Sequence, residues 1–303
     1  MNPVVSARNV TRRYGSMTAL DDVSFTLRAN AIYGLLGRNG AGKTTLMRIL
    51  TGQGFATAGE VRVFGSEPYE NDAVLTDVCF IKESHRYPDS HNVTNTLQAA
   101  SWLFPQWDEQ FAQSLVDDFN LPRKRRVKKL SRGELSALGI IIGLASRAPL
   151  TLFDEPYLGL DAVARQMFYD RLLSDYTEHP RTVILSTHLI DEIGGLIEHV
   201  LVLDRGRLLL DEEAESLRGH AVTLAGPVDT VNSLIGSLPE LRRDKIGRQV
   251  RVTVRGPLEP AARTRAESLG ITLEPVTLQQ LVVHLTGEHS DNGSSPAPKE
   301  MSR

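Results

Sequence analysis

The sequence predicts an α/β fold: a mainly parallel sheet with an antiparallel β edge, a helical insertion subdomain, and a small α/β C-terminal domain. Three observations carry this. Short apolar runs alternate with helical segments over the first two-thirds of the chain, the order that winds a parallel sheet. One such run, residues 31–36 (AIYGLL), feeds straight into a glycine loop that opens a helix. Residues from about 84 to 149 have helical texture, set between two strand-like runs.

The first thirty residues alternate as edge strands do, VVSARNV and then VSFTLRA. After the strand at 31–36, the helix opens at 44–50 and residues 75–81 read as a further strand. Helices are expected at 93–104, 108–119 and 134–146, the last strongly apolar. Strand character returns at 150–153, 182–185 and 200–203, with a helix between the first two. The first domain is expected to span 1–218. A second domain, 219–287, shows a strand at 248–255 (RQVRVTVR) and helices at 260–269 and 279–285. The polar stretch 288–303 reads as a disordered tail.

The 303 residues are 41% hydrophobic and 23% charged, with a net charge of -3. That balance gives no general attraction to nucleic acid or anionic lipid. The single cysteine, Cys79, excludes an intrachain disulfide framework and sits in an apolar run that predicts a buried thiol. The apolar stretch 135–146 is twelve residues long, where a membrane span takes roughly 20. No self-sufficient membrane crossing is expected.

Gly37-Arg38-Asn39-Gly40-Ala41-Gly42-Lys43-Thr44 fits G-x-x-x-x-G-K-[ST]. Such glycines let successive amides turn toward one phosphate chain, and the following helix adds its positive end. Lys43 is expected to reach the terminal phosphates and Thr44 to ligate magnesium, with Thr45 beside it. A strand before the loop and a helix after it are the context that this motif needs. A dinucleotide-binding turn would lack the lysine. The fold class is therefore narrowed to a phosphate-loop (P-loop) NTPase of RecA-like type. Such a site needs a carboxylate for the metal at the end of an apolar strand. Residues 150–155 (LTLFDE) supply Asp154 for magnesium and Glu155 as general base for the attacking water.

With these motifs in order, the chain resembles the ATP-binding subunits of ABC transporters over about residues 4–215. Leu130-Ser131-Arg132-Gly133-Glu134 is similar to the family's signature, usually LSGGQ. Asp161 falls at the D-loop aspartate, His188 in Ser186-Thr187-His188 at the switch histidine, and Tyr14 at the aromatic that stacks on adenine. The resemblance implies a dimer sandwiching two Mg-ATP, each between one copy's phosphate loop and the other's Ser131 and Gly133. It further implies a homo- or heterodimeric motor at the cytoplasmic face of a membrane, driving export through separate membrane subunits.

The chain departs from the family twice. Arg132 and Glu134 replace a glycine and a glutamine of the signature, and Glu83 stands where the family has the Q-loop glutamine that touches the metal. Residues 123–129 hold six basic residues in seven and read as a solvated basic face. Trp102 and Trp107 read as packing residues of the insertion. Two other functions fit the motifs: a soluble ABC-type ATPase acting on ribosomes or DNA, and an ATP-binding regulator without turnover. The first usually brings paired ATPase domains, long coiled coils or zinc-type cysteines, which this sequence lacks, and no nucleic-acid partner is expected. Glu155 and His188 speak against the second.

Overall fold

A computed structural model describes residues 3–82, 85–217, 221–256, 258 and 260–291. The chain divides into two compact units, the first ending at Glu212 and the second beginning at Glu213.

The first unit opens with an antiparallel hairpin, β1 (Val5–Tyr14) and β2 (Met17–Leu27), closed by a turn in which Gly15 has positive φ. β3 (Ile32–Leu36) leads into α1 (Lys43–Leu50), and β4 (Ala58–Val63) returns to pair antiparallel with β1. A short helix α2 (Asp72–Leu75) precedes β5 (Val78–Lys82). The strand expected at 75–81 therefore starts later, because Leu75 closes a helical turn that begins after Asn71.

The insertion holds α3 (Val93–Leu103), α4 (Glu109–Asp118) and α5 (Arg132–Ala145), with a 3-10 turn at Val127–Lys129. Each helix has a side-chain cap: Asn92 accepts from the Asn95 amide, Asp108 from the Phe111 amide, and Ser131 from the Glu134 amide. These satisfy amides that a helix start leaves unpaired. α3 stops at Phe104 because Pro105 disfavours helical geometry in the residue before it. The remaining elements are β6 (Leu150–Asp154), α6 (Ala162–Glu178), β7 (Thr182–Thr187), α7 (Ile190–Ile193), β8 (His199–Asp204) and β9 (Arg207–Glu213).

β5-β6-β7-β3-β8-β9 form one sheet, in which β5, β6, β7, β3 and β8 are paired in parallel. β2-β1-β4 form a separate antiparallel sheet. Alternation along β6 shows why both faces of the parallel sheet are covered. Leu150 and Leu152 join a core with Leu46, Met47 and Leu50 of α1 and with Val10 and Leu20 of the antiparallel sheet. Phe153 points the other way, its ring edge-on to Phe168 of α6 with centroids 5.4 Å apart. α5 lies against the same ring. A Cβ at Gly143 would sit 2.4 Å from Phe153 Cε1, so only glycine allows this approach.

Cys79 is fully buried, and burial pushes its thiol up to about 12, in keeping with an inert core residue. Trp102, expected to pack, is instead 76% exposed at the end of α3, beside the equally outward Leu103. Trp107 is half-buried and donates from Nε1 to Glu109 Oε2 at 2.9 Å. In the basic run, Arg123 pairs with Asp117 and Arg125 with Glu134, while Val127 is buried. No described helix is long and apolar enough to cross a membrane.

The second unit starts with a helical turn, α8 (Ala214–Leu217). It continues through β10 (Ala221–Pro227), α9 (Val228–Ile235), β11 (Glu240–Ile246), β12 (Gln249–Arg255), α10 (Pro260–Ser268) and β13 (Thr272–Pro275). Its sheet order β11-β12-β10-β13 is antiparallel throughout, which is the ferredoxin-like βαββαβ arrangement. Val222, Leu224, Val252 and Val254 form its own core with Val231 of α9 and Ala266 of α10. A last helix, α11 (Leu278–Asp291), runs past residue 288, where the sequence led us to expect a disordered tail.

Candidate functional site

The loop between β3 and α1 opens at the carboxyl end of the parallel strands, where α/β sheets bind ligands. Its backbone admits only glycine at residue 37. There φ is +149°, and a Cβ would lie 2.2 Å from the Leu203 carbonyl oxygen. Gly42, also at positive φ, is the N-cap of α1 and brings no side-chain cap. The first amides of α1 are thus left for an anion.

Lys43 is 6% exposed and turns its ammonium back into the loop, donating to Gly37 O at 2.8 Å and to Arg38 O at 3.4 Å. Its Nζ also lies 3.6 Å from Glu155 Oε1. Thr44 Oγ1 donates to Asp154 Oδ2 at 2.6 Å. The other oxygen of Asp154 accepts from Ser186 Oγ at 2.5 Å. Register dictates this bond, since Asp154 and Ser186 are direct partners across β6 and β7.

Glu155 sits just past the strand end with φ +51°, in the left-handed region that a non-glycine residue seldom occupies. Its amide bonds to Ser186 O at 3.3 Å and Oγ at 3.1 Å, which hold the strained turn. The carboxylate Oε2 then meets His188 Nδ1 at 2.8 Å and accepts from the Tyr157 hydroxyl at 2.9 Å. Burial raises the Tyr157 hydroxyl above its ordinary pKa, so it stays protonated and able to donate.

Lys43, Thr44, Asp154, Glu155 and His188 border one cavity of about 800 Å3. Asn39, Gly40, Ala41, Gly42, Lys43, Thr44 and Thr45 form its floor, with Asp154, Glu155 and His188 on one side. Met17, Thr18 and Ala19 line another part of the wall, and Arg48, Lys82 and Arg205 add cations. That is ample for a nucleotide. Gly37 and Arg38 act behind the floor, as acceptors for Lys43.

Other expected residues are not brought into this cavity. Tyr14 ends β1 outside its lining, with the Arg12 guanidinium 4.4 Å over its ring. The hairpin turn gives the wall to Met17–Ala19 instead. Ser131, Gly133 and Asp161 also lie outside the lining. Ser131 and Glu134 form a reciprocal capping box, with Ser131 N donating to Glu134 Oε2 at 2.7 Å. The Ser131 amide, with help from Arg125, holds the Glu134 carboxyl below its ordinary pKa. Glutamate for glutamine is therefore a local exchange, since either side chain closes a capping box. Gly133 has a reason of its own: a Cβ there would approach Gly159 O to 2.6 Å. The start of α5 thus lies on the loop before α6, where Asp161 caps the helix by accepting from the Ala164 amide at 2.8 Å. Ser136 Oγ adds a bond to Leu158 O at 2.6 Å. Glu83, expected near the metal, lies outside the described residues. The sequence assigns nothing to Tyr157 and Ser186; the parallel register of β6 and β7 reveals Ser186, and the hydrogen bonds of the loop after β6 reveal Tyr157.

A family model described as "ABC transporter" matches residues 20–158. An uncharacterized ABC transporter ATP-binding protein of Methanocaldococcus jannaschii is 30% identical over 214 residues, covering 68% of this chain and 76% of the relative. Nod factor export ATP-binding protein I of Ralstonia nicotianae is 27% identical and covers 94% of both chains. Among solved structures, an ATP-binding subunit of an ABC transporter superposes with a TM-score of 0.64 at 21% identity, covering 71% of this chain and 91% of that one. That likeness shows the fold. With a phosphate-loop lysine, a strand-end Asp-Glu pair and a facing histidine around one cavity, the chain belongs to the ABC transporter family, as an ATP-binding subunit that hydrolyses ATP to drive a transporter.

Proposed function

We propose that the loop amides and Lys43 hold the terminal phosphates of ATP and that Glu155 is the general base for the attacking water. The observation that carries this is the placement of the Glu155 carboxylate, with Oε1 3.6 Å from Lys43 Nζ and Oε2 2.8 Å from His188. A base in this reaction must stand beside the phosphate anchor. His188 orients the carboxylate through its Nδ1 contact and borders the same cavity. Thr44 and Asp154 fit Mg2+, since a hydroxyl and a carboxylate oxygen 2.6 Å apart are the hard donors this ion takes. Among the described residues no cluster of three or more acidic, His or Cys side chains stands ready for a metal, so phosphate and water oxygens complete the set. When bound, the ion neutralises developing phosphate charge.

We further infer that the working unit is a pair of cassettes, in which Ser131, Gly133 and Asp161 of one copy close over the nucleotide of the other. Two observations support it. Ser131 and Asp161 are exposed helix caps on adjoining loops, and neither they nor Gly133 line the cavity of their own chain. A second copy can bring these groups to the phosphates. Export through membrane subunits, at the cytoplasmic face, is supported by relatives named for bacitracin transport in Bacillus licheniformis and Nod factor export in Ralstonia nicotianae. Glu155→Gln tests the base. Turnover should fall by roughly 10²–10⁴ with ATP affinity retained, and an unchanged rate would remove Glu155 from that role.

A further inference from the structure

We propose that Tyr157 is a positioning residue of the hydrolytic site, locking Glu155 and His188 into one unit through its hydroxyl. The proposal rests on the reading of Glu155 as base.

A phenol has one proton to give and two lone pairs to receive. Around the Tyr157 oxygen stand two donors: the His188 amide at 3.1 Å, and Thr187 Oγ1 at 2.9 Å, which itself accepts from the Leu189 amide at 2.8 Å and gives its proton to the phenol. They fill both lone pairs. The hydroxyl proton is left for Glu155 Oε2 at 2.9 Å, since a carboxylate can only accept. The same oxygen of Glu155 lies 2.8 Å from His188 Nδ1. Two bare lone pairs would repel at that distance, so Nδ1 carries a proton and donates. His188 Nδ1 also lies 3.1 Å from the Tyr157 oxygen, which closes a triangle of the three side chains. With every bonding position of the hydroxyl used, Glu155 Oε2 is held by two donors and Oε1 faces Lys43.

The site of the hydroxyl is built for it. Tyr157 is 3% exposed, and its ring stands edge-on to the His188 imidazole with centroids 5.7 Å apart. A buried hydroxyl that lacked partners would destabilise its surroundings, whereas this one is saturated. Its reach also crosses two segments. Tyr157 follows β6, Thr187 ends β7 and His188 follows it, so the bond fixes the histidine segment to the base.

The test compares Tyr157→Phe with the parent protein, in steady-state hydrolysis and in calorimetric ATP binding. Phenylalanine keeps the ring and removes only the hydroxyl. The expected result is a fall in kcat of about tenfold, the worth of one hydrogen bond to a charged group, with ATP affinity unchanged. Because Tyr157 and His188 act on the same carboxylate oxygen, the pair Tyr157→Phe with His188→Ala should cost far less than the product of the two single effects. A packing role would instead lower stability and affinity together and multiply with His188→Ala. An unchanged kcat, or single effects that multiply, overturns the proposal. Glu155→Gln is run alongside: if it turns over normally, the base assignment fails and this proposal with it. If Glu155→Gln is dead while Tyr157→Phe is normal, only Tyr157 fails. Should Tyr157→Phe not fold, Thr187→Val carries the test by freeing one of the hydroxyl's lone pairs. It should lower kcat alone by about threefold, less than a full bond's worth, and an unchanged kcat again overturns the proposal.

Discussion

Lys43 is the residue whose surroundings most constrain its chemistry. Its ammonium is buried among loop carbonyls and lies close to Glu155, so it is held ready for phosphate oxygens with little ordering left to do. Lys43→Ala should reduce ATP affinity ten- to a hundredfold, the equivalent of about 1.5–3 kcal/mol for a charge-assisted bond. Calorimetric titration with ATP checks this, and an unaltered affinity would place the phosphates elsewhere. Lys43, Thr44, Asp154, Glu155 and His188 were legible in the sequence because each belongs to a spaced motif whose chemistry needs that residue type. Tyr157 and Ser186 were not. A tyrosine after a proline, or a serine near the end of an apolar strand, carries no pattern by itself, and its partners are supplied by the ends of β6 and β7 lying side by side. Tyr14 is different: its motif was recognisable, and the structure places its ring outside the cavity lining, with the Arg12 guanidinium 4.4 Å over it.

Among elements, those with strong periodicity and caps were readable to within a residue or two: α3, α4, α5, β6 and β7 all fall near their expected bounds. β4, with alternating Glu60, Val61, Arg62 and Val63, escaped notice because its pairing with β1 lies some fifty residues back along the chain. Elements of the first unit are tied by a buried network that no local pattern announces. Arg181 Nη1 donates to Asp175 Oδ2 at 2.6 Å, and Arg147 Nη2 bridges Asp175 Oδ1 at 3.1 Å and Asp108 Oδ2 at 3.0 Å. Thus the end of α6, the start of β7 and the caps of the insertion meet on one carboxylate. Asp175→Ala would leave Arg181, only 4% exposed, without its counter-charge. A loss of about 3–5 kcal/mol is expected, since a buried charge deprived of its partner costs more than the pair contributed. Urea unfolding monitors it; a loss under about 1 kcal/mol would mean that Arg181 finds water or another acceptor.

At the scale of the whole molecule, two hydrophobic cores lie in the two units without sharing a residue. The sequence made the second unit visible through the alternation of Val250, Val252 and Val254, but its ferredoxin-like order depends on long-range pairing of β10 with β12 and β13. A chain ending at Glu212 should therefore unfold cooperatively and bind ATP with the affinity of the full protein. Thermal denaturation and calorimetry of that fragment decide it, and a broad, non-cooperative transition would show that the first core is incomplete alone.

The cassette pair is the claim on which the proposed motor cycle turns: nucleotide joins two copies, and hydrolysis parts them. Glu155→Gln separates those steps, because it preserves the phosphate loop, Asp154 and the signature caps while removing the base. Sedimentation velocity of that variant, with Mg-ATP, with Mg-ADP and without nucleotide, measures the claim directly. A stable dimer of about twice the mass of one chain, 33.4 kDa, should form with ATP alone, with monomer in the other two conditions. A monomer that stays a monomer while calorimetry shows ATP bound would contradict it.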